Sequence, residues 1–452
     1  MLYREQNQDT KRKVHSWQSL VHVCRWWRGL VFASPRRMNL QLFCIPGRFA
    51  RKSLDVWPAL PLLISGYVFE GSVDNVITEL KHSDRICQII LDFYTPKIEK
   101  LWTAMQASFP ELAVVDLSLE GLSHALVLPN SFLGGSAPRL RRLTLNAIPF
   151  PSLPILLLSA THLVYLHLFN VPLSGYISPE AMATCLSILT NLESFKLEFE
   201  SPQSCPDQEN RRSPSPTRSI LPALTMLWFK GVNEYMEKLV ARIDAPQLFQ
   251  LEARFFNDID FDTPELIRFV SQSSTLKASS ETHVFFDTRT ASVKFQPQAS
   301  RSNVEYFEVK ISCSAPDWQL SSVAQICTTS SPLLSTTENL FINESADSQL
   351  DWNDRVENIV WLDLLLPFTA VKNLYLSRQF VPRVAHALQE MTEGRTTEML
   401  STLQNLYLEG FQPSESVHEG IERFISARRS SNHPVAISVW DRLGAGRVGR
   451  GR

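Results

Sequence analysis

The sequence predicts an α/β solenoid, a stack of strand-plus-helix units that share one continuous core. Three observations carry that expectation. First, a phrase of apolar, two variable, apolar, one variable, apolar keeps returning. It reads Leu112-Val115-Leu117, Leu140-Leu143-Leu145, Leu163-Leu166-Leu168, Leu192-Phe195-Leu197, Leu224-Leu227-Phe229 and Leu248-Leu251, then Val304-Phe307-Val309, Leu340-Ile342, Val371-Leu374-Leu376 and Leu403-Leu406-Leu408. An apolar-x-apolar pair is the mark of a strand with one buried face. Second, the central apolar residue falls at 115, 143, 166, 195, 227, 251, 307, 340, 374 and 406, in steps of 23 to 34 residues with a single step of 56. Third, capped helices fit between the phrases. A unit that cannot bury its own apolar face must stack on a neighbour.

Steps of this size match irregular leucine-rich repeats, about ten to twelve of them over residues 109–442. The step of 56 is twice 28 and predicts a degraded repeat, with Val284-Phe286 and Val293-Phe295 as candidates for its strand or strands.

The elements follow in order. Over 14–32, Trp17, Leu20, Val21, Cys24, Trp27 and Val31 recur at helical spacing on one face, and Ser34-Pro35 ends the helix. Residues 14–43 form this first segment. A transition and capping region spans 54–108: an extended, proline-punctuated stretch over 54–69, a helix near 75–82, a strand over 87–93 and a helix over 99–108. Between the later phrases, Ser178-Pro179-Glu180 opens a helix over 181–189 with Ser as N-cap, and Thr263-Pro264-Glu265 opens 266–272 in the same way. Further helices fit 234–243, 381–391 and 415–428. The stretch 201–219, SPQSCPDQENRRSPSPTRS, holds no large apolar residue and is expected to be a flexible insertion; the Gly/Arg tail over 443–452 is expected to be disordered as well. Within the insertion Ser213 and Ser215 each precede proline in a basic context. They are candidate phosphorylation sites, with Arg211, Arg212 and Arg218 available to pair with phosphate.

Forty-four Lys and Arg balance forty-six Asp and Glu in 452 residues, which predicts no electrostatic grip on nucleic acid or anionic membrane. Seven widely spaced cysteines without a C-x-x-C pattern suggest a reduced, intracellular protein of cytoplasm or nucleus rather than a disulfide scaffold or zinc site. No secretory signal and no membrane-length apolar run is expected.

Nothing in the sequence composes a catalytic site. Nucleophile-elbow, phosphate-loop, zincin and dinucleotide motifs are all missing. His162 and His167 have no ligand partners at metal spacing, and Asp258, Asp260 and Asp262 lack the glycine and closing glutamate of a calcium loop. The expectation is a binding protein, not an enzyme, without cofactor or metal.

Two stretches carry a family likeness. Val23-Cys24-Arg25-x-Trp27-Arg28 followed by Ser34-Pro35 resembles the second half of an F-box. Gly420-Ile421-Glu422-x-Phe424-x-x-Ala427-Arg428, with His433-Pro434-Val435-Ala436-x-Ser438-x-Trp440 and Asp55-Val56-Trp57-Pro58-Ala59-Leu60-Pro61, resembles the fungal F-box/leucine-rich-repeat families over about 14–442. The resemblance implies a substrate receptor of a cullin-based SCF ubiquitin ligase. An F-box opens with Leu-Pro and a Glu-x-Leu helix. No such segment precedes Trp17, so the box is expected to be degenerate or truncated at its front. The implied contacts to the Skp adaptor are Trp17, Leu20, Val23, Cys24, Trp27 and Pro35. The second expectation is a non-catalytic leucine-rich-repeat scaffold or recognition protein without a ligase partner.

In each phrase the residues flanking the central apolar residue alternate away from the core. They place a periodic aromatic set, Tyr165, Trp228, Tyr306, Phe341, Tyr375 and Tyr407, with His167, on the concave face, where an unknown protein substrate is expected to bind.

Overall fold

The computed structural model describes residues 21–33, 40–47, 60–95, 97–120, 127–205, 218–256, 263–276, 280–297, 305–313, 315–345, 358–390, 400–410 and 415–440. The chain is mixed α/β and divides into two compact units, Met1–Glu209 and Asn210–Arg452.

The first unit holds α1 (Arg25–Ala33), β1 (Leu42–Cys44), β2 (Leu62–Val68), α2 (Val73–Leu80), β3 (Ile86–Phe93), α3 (Glu99–Ala104), β4 (Val114–Leu119), β5 (Arg142–Asn146), α4 (Leu153–Ser159), β6 (Tyr165–Val171), α5 (Pro179–Leu186) and β7 (Ser194–Phe199). Its seven described strands are parallel and lie in chain order. The repeated phrase explains the register. Ile89, Val115, Leu143, Leu166 and Phe195 form one column across β3 to β7, and Leu91, Leu117, Leu145, Leu168 and Leu197 form the next. All ten are buried. The leading leucine closes a tight turn before each strand: Leu112, Leu140, Leu163 and Leu192 each donate their backbone N–H to the carbonyl three residues back, at 3.0–3.2 Å. Their side chains are buried beneath that turn, so one residue serves both turn and core.

The second unit holds β8 (Ser219–Ile220), β9 (Met226–Gly231), α6 (Asn233–Val240), β10 (Ile243–Asp244), β11 (Gln250–Phe255), α7 (Pro264–Gln272), β12 (Glu281–Asp287), β13 (Thr290–Gln296), β14 (Tyr306–Ser312), α8 (Pro316–Thr329), α9 (Ser331–Leu334), β15 (Asn339–Glu344), α10 (Asn358–Leu365), β16 (Asn373–Leu376), α11 (Val381–Glu390), β17 (Asn405–Glu409), α12 (Glu415–Ser430) and β18 (Ala436–Trp440). Among the described residues, nine strands make its mostly parallel sheet, in the order β9-β11-β14-β13-β12-β15-β16-β17-β18, and β8 pairs with β10 separately.

That order corrects the reading of the long step. No single degraded repeat lies inside it. Val284-Phe286 and Val293-Phe295 belong to β12 and β13, which form an antiparallel hairpin, and β13 is also antiparallel to β14. The chain therefore lays β12 beside β15 and returns through β13 to place β14 beside β11. A two-residue turn makes the reversal possible. Asp287 Oδ1 accepts from the Thr288 N–H at 2.7 Å. Gln319, buried on α8, donates to the Asp287 carbonyl at 2.8 Å and the Cys313 carbonyl at 2.6 Å, tying the hairpin to the end of β14.

Three local readings also change. The first helix is α1, beginning at Arg25, because a turn at 22–23 interrupts it. Only Val21 and Val31 of its expected apolar face are buried among the described residues, packed with Leu40, Leu60 and Phe32. The ends of the expected insertion are built into the fold: Pro202–Ser204 forms a 3-10 turn, Cys205 is buried and Ser219–Ile220 pairs with Ile243–Asp244. Arg218 anchors the second end by donating to Asp244 at 2.9 Å, Gln272 at 2.9 Å and Glu265 at 2.6 Å. Ser178 caps α5 as expected, accepting from the Ala181 N–H at 3.2 Å. Thr263 makes no such bond on α7. Glu237 of α6 does, accepting from the Glu265 and Leu266 N–H groups at 2.9 and 2.8 Å. A carboxylate there satisfies two otherwise orphan donors and meets the positive helix end.

Two substitutions test this packing by urea unfolding. Leu166→Ala should cost about 2–5 kcal/mol, because a fully buried column position cannot collapse around the void. Glu237→Ala should cost about 1 kcal/mol through the lost cap. An unchanged midpoint in either variant would contradict the role assigned to that residue.

Candidate interaction surface

Alternation along each strand sends every second side chain to the face opposite the buried columns. In the second unit these side chains line up in one row across all nine strands: Trp228, Glu252, Glu308, Lys294, His283, Phe341, Tyr375, Tyr407 and Ser438. Four neighbours in that row are planar, and they stack. His283 lies on Phe341 with centroids 4.4 Å apart and planes 6° apart; Phe341 on Tyr375 at 4.2 Å and 12°; Tyr375 on Tyr407 at 4.4 Å and 5°. Each such pair contributes about 0.5–1.5 kcal/mol beyond area burial. Trp440 of β18 crosses the stack edge-on, 5.5 Å from Tyr375 and 6.4 Å from Phe341, and its Nε1 donates to the Leu376 carbonyl at 3.3 Å. Burial raises the Tyr375 phenol above its usual pKa, and Tyr407 adds to the shift.

Beside the stack runs a ladder of amides. Asn405 Nδ2 donates to Asn373 Oδ1 at 2.8 Å, and Asn373 Nδ2 donates to Asn339 Oδ1 at 2.7 Å. On the other side, β11, β14 and β13 carry charge. Lys310 pairs with Glu252 at 2.9 Å and Glu308 at 3.2 Å. Burial alone would lower the Lys310 pKa, and these two carboxylates hold it above the usual value. Tyr306 accepts from Gln250 at 2.7 Å, and Lys294 Nζ sits 4.4 Å above its ring.

The first unit repeats the arrangement with other residues. The Arg142 guanidinium lies 4.8 Å over the Tyr165 ring, and Asn170 donates to Asn146, which donates to Ser118, at 2.8 and 2.9 Å. Burial raises the Asp116 carboxyl to about 6, with Asp92 adding to the rise and Arg142 opposing it.

The residues expected on the binding face therefore separate. Phe341, Tyr375 and Tyr407 come together in the stack. Trp228 and Tyr306 stand in or beside the charged part of the row, half-buried, and Tyr165 is half-buried in the first unit. His167 corrects the expectation of an accessible residue. It is 6% exposed, and its Nε2 lies 3.0 Å from Ser194 Oγ. Burial, with Lys196 and Arg142 nearby, lowers its pKa to about 3. In the first segment, Val23 is 66% exposed, Trp26 68%, Trp27 38% and Leu30 45%, and Cys24 is exposed too. Trp17, Leu20, Pro35, Ser213 and Ser215 lie outside the described residues.

Sequence reasoning missed His283, Trp440, Lys294 and the amide ladder. Alternation in 281–287 placed His283 outward. Its neighbour was hidden by the reversed strand order. The ladder had a visible signal in Asn339, Asn373 and Asn405, each directly before a central leucine.

No described helix is long and apolar enough to cross a membrane. No family model matches the chain, and comparison with curated proteins finds no match.

The buried, neutral His167 predicts a pH signature. Its folded pKa is below the unfolded value of 6.5, so its contribution is full above 6.5 and is lost as pH falls toward 3. Measured by urea unfolding, the difference between wild type and His167→Gln should move in the variant's favour from pH 6.5 down to 4. A pH-independent difference would remove this assignment.

Proposed function

We propose that this chain is a protein-recognition subunit whose partner lies on the polar face of its sheet, and that it serves an SCF-type ubiquitin ligase as substrate receptor. The observation that carries the recognition reading is the His283-Phe341-Tyr375-Tyr407 stack. Rings already held rigid lose little entropy when a partner covers them, which is why aromatic side chains dominate binding hot spots. The adjoining Glu252, Glu308, Lys294 and Lys310 supply charges that can select among partners.

We further read the strand-turn-helix units as irregular leucine-rich repeats stacked as a solenoid. Support comes from the in-register leucine columns and from the turn that each leading leucine closes. The ligase part of the proposal rests on the F-box-like motif over 23–35 and on Val23, Trp26, Trp27 and Leu30, which leave apolar surface exposed on and next to α1. Exposed apolar groups of this size mark association sites.

Capture of the full chain by a purified Skp adaptor tests the ligase part. Wild type should be retained, and Trp27→Ala should lower retention at least about tenfold while leaving the melting temperature unchanged. No capture of wild type at micromolar protein would overturn the ligase reading. Proximity labelling in cells tests recognition. Phe341→Ala/Tyr375→Ala should lose a defined set of labelled proteins, and an unchanged set from a folded variant would overturn the reading.

A further inference from the structure

Three aromatic rings stand out from the first unit where β2 and β3 end: Tyr67, Phe69 and Tyr94, each at least 40% exposed. Alternation puts them outside, because Val68 between the first two and Phe93 before the third are buried. The rings touch one another. Phe69 stacks on Tyr94 with centroids 5.5 Å apart, and Tyr67 meets Tyr94 edge-on at 5.8 Å. Among the described residues β1 pairs with β2 only along Leu62–Ile64, so it stops short of Tyr67 and Phe69. Carboxylates flank the rings. Asp92 is in register with Tyr67. The Tyr94 and Glu120 N–H groups donate to the Val68 and Phe93 carbonyls, both at 3.0 Å, which extends the ladder and sets Phe69, Tyr94 and Glu120 side by side. A cavity of about 490 Å³ begins at Glu70, the residue after Phe69, and Asp74, Lys97, Glu99 and Lys100 line it too. Its acids outnumber its lysines, and Lys97 is paired with Glu70.

We infer that this surface docks a basic segment of a partner protein, through residues other than those of the ring stack. An exposed cluster of large apolar side chains marks an association site, and aromatic residues carry much of the energy at such sites. The charge around the rings selects the occupant. An arginine or lysine side chain is attracted both by a ring face and by the carboxylates of Asp92 and Glu120, which flank Tyr94. An acidic segment would meet like charge there. A purely apolar segment would cover those carboxylates without giving them a donor, which is costly. A segment that alternates basic and apolar residues satisfies both the rings and the acids.

The test titrates the full chain into a fluorescein-labelled peptide of alternating arginine and leucine and follows fluorescence anisotropy. The peptide should bind saturably. Replacing its arginines by citrulline, which keeps the shape and removes the charge, should weaken binding at least about tenfold. Tyr94→Ala should weaken it by about the same factor. Glu120→Lys reverses one exposed charge, should cost about tenfold, and guards against a Tyr94 variant that fails to fold. No saturable binding up to millimolar protein, equal binding of the arginine and citrulline peptides, or binding indifferent to Glu120→Lys would overturn the inference. Phe341→Ala/Tyr375→Ala should leave the peptide's affinity unchanged, and a loss there would move the site to the stack and overturn the inference. The chain has basic residues of its own nearby in sequence: Pro46 lies against Gly66, and Arg48, Arg51 and Lys52 follow it. In chain labelled with 3-fluorotyrosine, changing those three to Gln without peptide present should leave the Tyr67 and Tyr94 fluorine signals in place. A shift of those signals would give the surface to the chain itself, and a dimer that Tyr94→Ala dissolves would give it to a second copy. Either result would overturn the assignment to a partner.

Discussion

Each parallel strand of this chain carries its large apolar residues on one face, and a strand of five or six residues cannot bury them within its own unit. The columns led by Ile89 and Leu91 resolve this by continuing from strand to strand, so each residue is covered by its neighbours in the column. Register is then tightly specified, since a slip of one residue would turn every leucine outward. The opposite face inherits the same register. Adjacent strands lie about 4.8 Å apart, close to the ring spacing that aromatic stacking favours. Rings at equivalent outward positions therefore fall onto one another without any further device. The surface order of Phe341, Tyr375 and Tyr407 is a consequence of the buried order of Leu340, Leu374 and Leu406.

The hairpin of β12 and β13 changes what that surface contains. Had the strands followed chain order, β14 would have stood beside β15, with Glu308 next to Phe341. The reversal instead brings His283 to Phe341 and puts Lys294 between the ring stack and Glu308. The outward row is thereby sorted into a charged part on β11, β14 and β13 and an aromatic part from β12 to β17. Gln319 secures this arrangement from the core side, since its amide bonds the carbonyls at both ends of the reversed segment. A buried polar side chain is costly unless it is hydrogen-bonded, and Gln319 spends both amide donors on these two carbonyls.

Much of the fold was legible in the sequence because strand period and turn chemistry are local. The phrase Leu-x-x-Leu-x-Leu specifies a buried column and its closing turn within six residues, and Ser178 announced a cap that its own hydroxyl makes. Other features depend on groups far apart in the chain. Thr263 has the right chemistry for a cap, yet a carboxylate from the preceding helix, Glu237, takes the two donors first. His167 has the right alternation for an outward residue, yet neighbouring strands bury it against Ser194.

The sequence by itself determined the α/β class, the position of the strands that carry the repeated phrase and which residues of those strands face the core, because these follow from apolar spacing inside a short window. It also determined that Phe341, Tyr375 and Tyr407 share a face. Only the tertiary structure decided the order in which strands 281–312 enter the sheet, since two opposite orders bury the same apolar residues. That choice created the stack that begins at His283. At the other edge, Ala436 and Ser438 of β18 lie across from Asn405 and Tyr407, and Trp440 lies across from Glu409.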